Sequence, residues 1–345
     1  MVRIEHKRAL LVTHIGDKKF EWPIEPRYWR NPLLGIACLA LLPILLIGRY
    51  DLMTLFVTAN IYASIAIPLG WQMGGIGRLN FGPQAFVGIG GYVAGLLSIH
   101  FGWGPWATLP IVILAGMAIG IALSPLTTIA KGLYFSLITL ILPLIFLSVT
   151  YYFSFFKGET GLYGIAPLFA TNNIKTEYIL GAYFSFFVMV IYLAVVEKVF
   201  SSRLGLYAAA INEGEEVANG LGLNINKWKM ICFIISSVMI AVSGWFLAHY
   251  FGTFAGVTYL KLPFMLKLLL MAMIGGRGEI YGAIYGAYFI TILETALMSL
   301  LGPIHYIVFP VILLILLFTL PEGLYGLYRR HKYREYYPTV RVRRG

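Results

Sequence analysis

Residues 202–224 read SRLGLYAAAINEGEEVANGLGLN and form the one long interval between apolar segments that is neither a terminus nor a simple turn. Six apolar stretches precede this interval and four follow it. Its side chains alternate between apolar and polar with the period of a helix. Its three glutamates would each cost several kcal/mol in hydrocarbon, so it cannot be a buried span. The apolar positions are Leu206, Ala210, Val217 and Leu221, and the polar positions are Asn212, Glu215, Glu216 and Asn219.

The pattern of this interval predicts one or two short helices that lie at the membrane surface and are available to a partner. Gly214 and Gly220 each weaken a helix by about 1 kcal/mol, so something outside the segment is expected to hold it. A solvated loop with some helical character is the alternative interpretation.

The composition of the whole chain is that of a polytopic membrane protein. Of its 345 residues 59% are hydrophobic and 12% are charged, and the mean hydropathy is +0.80. A soluble domain of this length does not approach that balance. Cys38 and Cys232 both lie in apolar runs and predict neither a disulfide framework nor a metal site. The segment 33–48 lacks the features of a cleaved secretory signal, and we interpret it as a retained first span.

The apolar runs predict an all-α protein with about ten transmembrane helices in a domain covering residues 32–321. A polar segment, 1–31, precedes this domain, and Gly16 and Asp17 are placed to turn a short hairpin within it. A basic tail, 322–345, follows the domain. The predicted spans are 33–48, 52–73, 79–99, 106–129, 133–153, 178–200, 229–251, 263–276, 280–300 and 304–320.

The net charge of +11 is distributed as in a membrane protein and not as in a nucleic-acid-binding protein. With the N-terminus inside, twenty-one Lys and Arg residues fall on the cytoplasmic side and four on the outer side. This asymmetry predicts that both termini and residues 202–228 face the cytoplasm. Lys267 lies inside the short eighth span, and we expect it to reach water from near the outer end.

Two glycine-interrupted stretches, 77–83 and 276–282, have the same design. Each begins at a basic turn and continues into small residues at the spacing that lets helices approach closely. Corresponding interrupted segments suggest two repeat-like halves around a central pathway. Tight helix packing alone is the alternative. The glycines of the two ridges are Gly278, Gly282 and Gly286, and Gly82, Gly90 and Gly91.

No group of residues in the sequence supports catalysis, so we expect no enzyme activity. Asp17 and Asp51 lie outside the spans. Ser243 and His249 are six residues apart on one helix and therefore point in different directions. The chain has no phosphate-binding loop of the Walker type, so ATP-driven transport would need a separate ATPase.

Polar residues within the spans are the candidates for a transport role. Glu294 lies well inside the ninth span, where a carboxylate costs about 2.5–3.5 kcal/mol unless it is paired or faces water. Each candidate has the alternative role of a hydrogen bond between packed helices. His249 is expected to be an interfacial residue. The other candidates are Asn60, Asn80, Gln84 and Thr139.

Five motifs in order along the chain resemble those of branched-chain amino acid permeases of ABC importers, of the LivM type. They are GRLNFGPQAFVGIGGY at 77–92, GLYF at 132–135 followed by Thr139, GETGLYGI at 158–165, the interval 202–224, and GGRG at 275–278 followed by Gly282 and Gly286. In the interval, Glu216, Val217, Ala218 and Gly222 are similar to the EAA-type signature of the cytoplasmic coupling helix. The residues that the resemblance assigns to ATPase coupling are Arg203, Gly205, Glu213, Glu215, Glu216, Ala218, Leu221 and Gly222.

The resemblance implies a permease subunit in the cell membrane that transports branched-chain amino acids or a similar small polar solute. It implies a second homologous permease, two cytoplasmic ATPase subunits and an extracytoplasmic solute-binding protein as partners. ATP would be bound by the ATPase subunits, and no cofactor is expected in this chain. The alternative function is a secondary transporter that uses Glu294 for proton coupling.

Overall fold

The structure, a computed structural model, is built mainly of helices. It describes residues 3–7, 10–15, 18–23, 26–130, 132–171, 173–200, 207, 211, 224–275 and 280–319. Within these ranges the helices are α1 (Pro26–Leu45), α2 (Tyr50–Trp71), α3 (Pro83–Phe101), α4 (Pro105–Leu123), α5 (Leu126–Ile129), α6 (Leu133–Tyr152), α7 (Ile174–Phe200), α8 (Ile225–Phe251), α9 (Gly256–Tyr259), α10 (Leu262–Ile274), α11 (Ile280–Leu301) and α12 (His305–Thr319).

Seven helical stretches among the described residues are long and apolar enough to cross a membrane. The last of them, Tyr281–Leu316, joins two predicted spans through a short 3₁₀ turn, Gly302–Ile304. Two further predicted spans correspond to the shorter apolar helices Gly35–Leu45 and Leu262–Ile274. The helical membrane class is therefore confirmed, while the count of ten transmembrane helices stays a prediction.

The N-terminal segment adds a sheet that the all-α prediction did not include. Strands β1 (Arg3–Lys7), β2 (Leu10–Ile15) and β3 (Lys18–Pro23) form an antiparallel sheet in the order β1-β2-β3. Ile15 is paired with Lys18, so the hairpin predicted around residues 16–17 is confirmed. A second, two-stranded sheet joins β4 (Leu162–Tyr163) to β5 (Thr253–Phe254). It ties the segment after α6 to the end of α8.

The α-helical backbone is interrupted between α2 and α3. A π-helical turn, Gln72–Ile76, ends α2, and Gly77 leaves the helix with a φ of 69° in the left-handed region that glycine adopts without strain. Pro83 then occupies the first position of α3, where its missing N–H costs nothing. The predicted span 79–99 therefore begins about four residues too early. We call residues 77–82 the interrupted segment.

Helices α3 and α8 touch backbone to backbone near the middle of the protein. A Cβ atom added to Gly90 would lie 1.8 Å from the carbonyl oxygen of Ala241, and one added to Gly244 would lie 2.1 Å from that of Val87. Helix α4 joins them where Gly116 and Gly120 face α8. Close approach through small residues is the usual way in which transmembrane helices pack.

The second glycine ridge packs α11 against α10 in the same manner. A Cβ atom on Gly286 would lie 2.0 Å from the carbonyl oxygen of Met271, and one on Gly275 would lie 2.0 Å from that of Gly282. Gly278, the third predicted member, lies outside the described residues.

The helices differ greatly in how much of their surface is covered. Most residues of α2 and α8 are buried, whereas fewer than a third are buried in the spans of α4, α6 and the α11–α12 pair. The uncovered side chains are largely apolar, for example Leu114, Ile145 and Ile307. Such surfaces suit a lipid bilayer or another membrane subunit.

We predict that Gly90→Ala destabilises the protein by about 1–3 kcal/mol, because the added methyl group overpacks the contact between α3 and α8. The measurement is the midpoint of thermal denaturation in detergent, which should fall. Gly70→Ala is the matched control, because Gly70 also lies inside a helix and an added Cβ atom there meets nothing nearer than 3.8 Å. Equal midpoints for the two variants would contradict the close contact.

Candidate functional site

The interrupted segment is held in place by two of the residues that the sequence singled out. The Asn80 Nδ2 group donates to Gln72 Oε1 at 3.0 Å, and Asn80 Oδ1 accepts from the backbone N–H of Gly82 at 2.8 Å. Thr139, on α6, accepts at Oγ1 from the backbone N–H of Phe81 at 3.0 Å. The bonds to Gly82 and Phe81 satisfy backbone N–H groups that a continuous helix would have satisfied itself.

Helix α6 supports the same segment at two further points. The Ser136 hydroxyl donates to the carbonyl oxygen of Leu79 at 2.7 Å. A Cβ atom on Gly82 would lie 2.3 Å from the carbonyl oxygen of Thr139, so Gly82 lies directly against α6. The structure thus brings Thr139 against Asn80 and Gly82, although Thr139 lies in a separate sequence motif.

Two buried amide side chains beside the interrupted segment each leave one polar atom without a hydrogen-bond partner. Gln72 and Gln84 are each 1% exposed, and the unpaired atoms are Gln72 Nε2, a donor, and Gln84 Oε1, an acceptor. An unpaired buried polar group costs about 1–3 kcal/mol, which a bound water or solute would recover. We therefore regard the interrupted segment with Gln72 and Gln84 as the candidate polar site of the pathway.

Glu294, on α11, forms an ion pair with Lys267 on α10, and Lys267 Nζ also lies 4.1 Å from the centre of the Tyr62 ring. The side chains of Lys267 and Glu294 are 9% and 29% exposed. Lys267 therefore does not reach water as the sequence suggested, because its charge is compensated within the bundle. The pairing is the condition under which a carboxylate is tolerated inside a span.

Asn60 connects three helices. Its Nδ2 group donates to Ser185 Oγ on α7 at 3.1 Å, and its Oδ1 atom accepts from the Tyr288 hydroxyl on α11 at 2.5 Å. Both of these hydrogen bonds join α2 to another helix, so the geometry favours the packing role for this residue.

His249 is buried at the end of α8 and not exposed at an interface. Its Nδ1 atom lies 2.7 Å from the carbonyl oxygen of Ala166, and its Nε2 atom lies 2.9 Å from Thr108 Oγ1. A carbonyl oxygen only accepts, so Nδ1 carries a proton. Ser98 Oγ accepts from the N–H of Ala166 at 2.9 Å. Together these bonds fix the segment after β4 over the ends of α3, α4 and α8.

Ser243 and His249 have different partners, as their spacing predicts. The Ser243 hydroxyl donates to the carbonyl oxygen of Met239 on its own helix at 3.1 Å, while His249 bonds to Thr108 and Ala166. This pair is therefore not arranged as a nucleophile and its base.

The residues assigned to ATPase coupling lie outside the described residues. Two of their neighbours, Tyr207 and Ile211, are described. The Tyr207 ring stacks on Trp228 with ring centres 5.1 Å apart and planes at 21°, and Ile211 packs with Ile225 and Trp228. We call these four residues the base cluster.

Sequence reasoning overlooked most of the base cluster, since it placed the apolar face of the interval at Leu206 and Ala210. The available signal was the spacing: Tyr207 and Ile211 are four residues apart, and Ile225 and Trp228 are three apart.

The molecule has the architecture of a polytopic membrane protein. Apolar helices surround a break in the helical backbone, and buried amide side chains lie beside that break inside the bundle. The sequence matches, over residues 52–318, the family described as "Branched-chain amino acid transport system / permease component". The chain belongs to this family, and it is a LivM-like ABC permease.

Relatives with curated names agree with the family. The high-affinity branched-chain amino acid permease LivM of Escherichia coli is 24% identical over 71% of this chain and 62% of its own length. The "Probable branched-chain amino acid transport permease protein LivH" of Methanocaldococcus jannaschii is 25% identical over 63% of this chain and 70% of its own. The ribose import permease RbsC of Haemophilus influenzae is 29% identical over 48% of this chain and 53% of its own.

A solved structure shares the fold. It is described as an inward-facing conformation of a metal-chelate type ABC transporter, and it superposes with a TM-score of 0.50 over 86% of this chain and all of its own. At 17% identity the likeness is one of fold alone.

We predict that Lys267 and Glu294 behave as a coupled pair in a double-mutant cycle. Glu294→Leu and Lys267→Met each leave a charge without its partner and should each cost about 3 kcal/mol, the lower end for a buried pair because Glu294 is partly exposed. The double variant should be more stable than the sum of the single losses implies. Stability is measured by thermal denaturation in detergent. Losses that add to within about 0.5 kcal/mol would show that the two groups do not interact.

Proposed function

We propose that this chain is the permease subunit of an ABC importer and forms the translocation pathway for branched-chain amino acids or a similar small polar solute. The observation that carries the proposal is the family match, which covers the chain from α2 to α12 and includes the interrupted segment. Relatives named for branched-chain amino acids favour that substrate. The similarity to a ribose permease is the reason why the proposal also includes other small polar solutes.

In this proposal the polar site at the interrupted segment contacts the passing solute. Gln72 Nε2 offers a donor and Gln84 Oε1 an acceptor, which suits a solute with both a carboxylate and an ammonium group or with hydroxyl groups. Asn80 and Thr139 keep the segment open by holding its backbone. Gly282 and Gly286 serve the packing of α11, and Glu294 serves the pair with Lys267.

The family supports a set of partners for this proposal. A second homologous permease completes the pore, two cytoplasmic ATPase subunits bind ATP, and an extracytoplasmic protein delivers the solute. Residues 202–228 form the coupling interval on the cytoplasmic side with both termini, and the segment 154–177 faces outward. Within the interval, Arg203, Gly205, Glu213, Glu215, Glu216, Ala218, Leu221 and Gly222 are the proposed coupling residues.

The pairing of Glu294 with Lys267 weighs against the proton-coupled alternative. A carboxylate that carries protons across a membrane must be free to lose and regain its charge, whereas Glu294 neutralises a buried ammonium group.

The function is tested by reconstitution into liposomes. We predict no uptake by the subunit alone under a pH gradient, and ATP-dependent uptake by the complete assembly of two permeases, two ATPases and the binding protein. In the assembly, Glu215→Lys with Glu216→Lys should weaken ATPase co-purification and uptake, because charge complementarity helps to fix the docking register. Glu159→Lys, a charge reversal in an exposed loop elsewhere in the chain, is the control.

Uptake by the isolated subunit under a pH gradient would overturn the ABC proposal in favour of a secondary transporter. Wild-type ATPase binding and uptake in the double glutamate variant would show that 202–228 is not the coupling interval.

A further inference from the structure

The base cluster is a small hydrophobic core of its own. Ile211 is 6% exposed and Ile225 is 3% exposed, and both belong to a cluster separate from the main core of the bundle. Trp228 packs against both and carries the stacked ring of Tyr207. A separate cluster of this kind fastens a segment that the main core does not reach.

The spacing of the four residues shows how the contact is made. Tyr207 and Ile211, each in a helical conformation, are four residues apart and share one helical face. Ile225 and Trp228 are three residues apart in the first turn of α8. That turn is fixed by Asn224, whose side chain accepts from the N–H of Lys227 at 3.1 Å. Two short helical faces therefore meet at a capped and rigid end of α8.

The base cluster lies on both sides of the proposed coupling signature. Ile211 immediately precedes residues 212–224 and Ile225 immediately follows them, and the two isoleucines belong to one cluster. The ends of this interval are thus held together by side-chain packing as well as by the chain. Fixing both ends of a loop removes much of its conformational freedom.

Helix α8 connects the base cluster to the middle of the bundle. It runs 27 residues, from Ile225 to Phe251, and it packs backbone to backbone on α3 at Gly90 and Gly244. A displacement of residues 212–224 that moves Ile225 and Trp228 would therefore move the start of α8, a helix held in place by its close packing on α3.

We infer that the base cluster is a mechanical clamp that positions the coupling interval and passes ATPase movement to α8. The four residues of the base cluster are positioning residues in this role, since they contact one another across the two ends of the interval. The inference rests on the proposed function and adds to it the route by which force leaves the coupling interval.

The clamp is tested in the complete reconstituted assembly by measuring solute taken up per ATP hydrolysed. We expect Trp228→Ala and Ile211→Ala each to lower this ratio about fivefold or more, in the range of typical coupling energies, while ATP hydrolysis continues. Trp228→Phe should restore most of the ratio because an aromatic ring is kept. Asn226→Ala, at an exposed position in the same turn, is the matched control.

A merely structural role would reduce the amount of assembled transporter and leave uptake per ATP unchanged, and that outcome would overturn the inference. Failure of the wild-type assembly to take up solute would instead overturn the proposed function, so the two failures are distinguishable.

A disulfide in place of the packing contact tests whether fixing the clamp raises the amount of solute taken up per ATP. In a chain with Cys38 and Cys232 replaced by alanine, Ile211→Cys with Ile225→Cys should form a disulfide in membranes, even in the subunit alone. In the assembly, the oxidised form should take up more solute per ATP than the reduced form, because the bond replaces the lost packing. Absence of the disulfide, or lower coupling after oxidation, would contradict the clamp.

Discussion

The carbonyl oxygens of Val87 and Ala241 lie where side chains at positions 244 and 90 would have to be, and this backbone contact between α3 and α8 governs the arrangement of the bundle. With no side chain between the two backbones, the helices are in direct contact, and a rotation of either one would bring larger neighbouring side chains into that contact. Helix α4 is added to the pair through Gly116 and Gly120. The three helices therefore form one tightly packed unit around α8, which spans about 40 Å at 1.5 Å per residue.

Each end of α8, the central helix of this unit, holds another segment of the chain in place. At its end, His249 bonds to Ala166 and Thr108 and fixes the segment after β4. At its start, Ile225 and Trp228 hold the ends of the proposed coupling interval. The interrupted segment at the start of α3 is held by Asn80 and by Thr139 of α6. Non-helical backbone inside a membrane protein is tolerated only where other groups satisfy its hydrogen bonds, and here side chains do so.

Hydropathy and glycine spacing predicted much of this fold, because apolar spans and the small residues that allow close packing can be recognised within short stretches of the sequence. The sequence also identified Asn80, Thr139 and Glu294 as notable. It did not reveal that Glu294 pairs with Lys267, because the partners lie on different helices and only the packing of α10 on α11 brings them together. Burial of His249 was missed for the same reason: its partners, Thr108 and Ala166, are distant in the chain. Only the hairpin of the N-terminal sheet was predicted, because the turn residues Gly16 and Asp17 indicate the two strands beside them and not the third strand, β1.

The claim that α3, α4 and α8 move as one unit is tested most directly by joining α4 to α8 covalently. The Cβ positions of residues 120 and 237 are 3.1 Å apart, slightly closer than in a relaxed disulfide, so Gly120→Cys with Ser237→Cys should crosslink with a small adjustment. The measurement is ATP-driven uptake by the complete assembly, with Cys38 and Cys232 replaced by alanine, before and after oxidation. We predict that uptake is retained after oxidation. Uptake that is abolished by the disulfide and recovered on reduction would contradict a rigid unit, because it would show that α4 must move relative to α8 during transport.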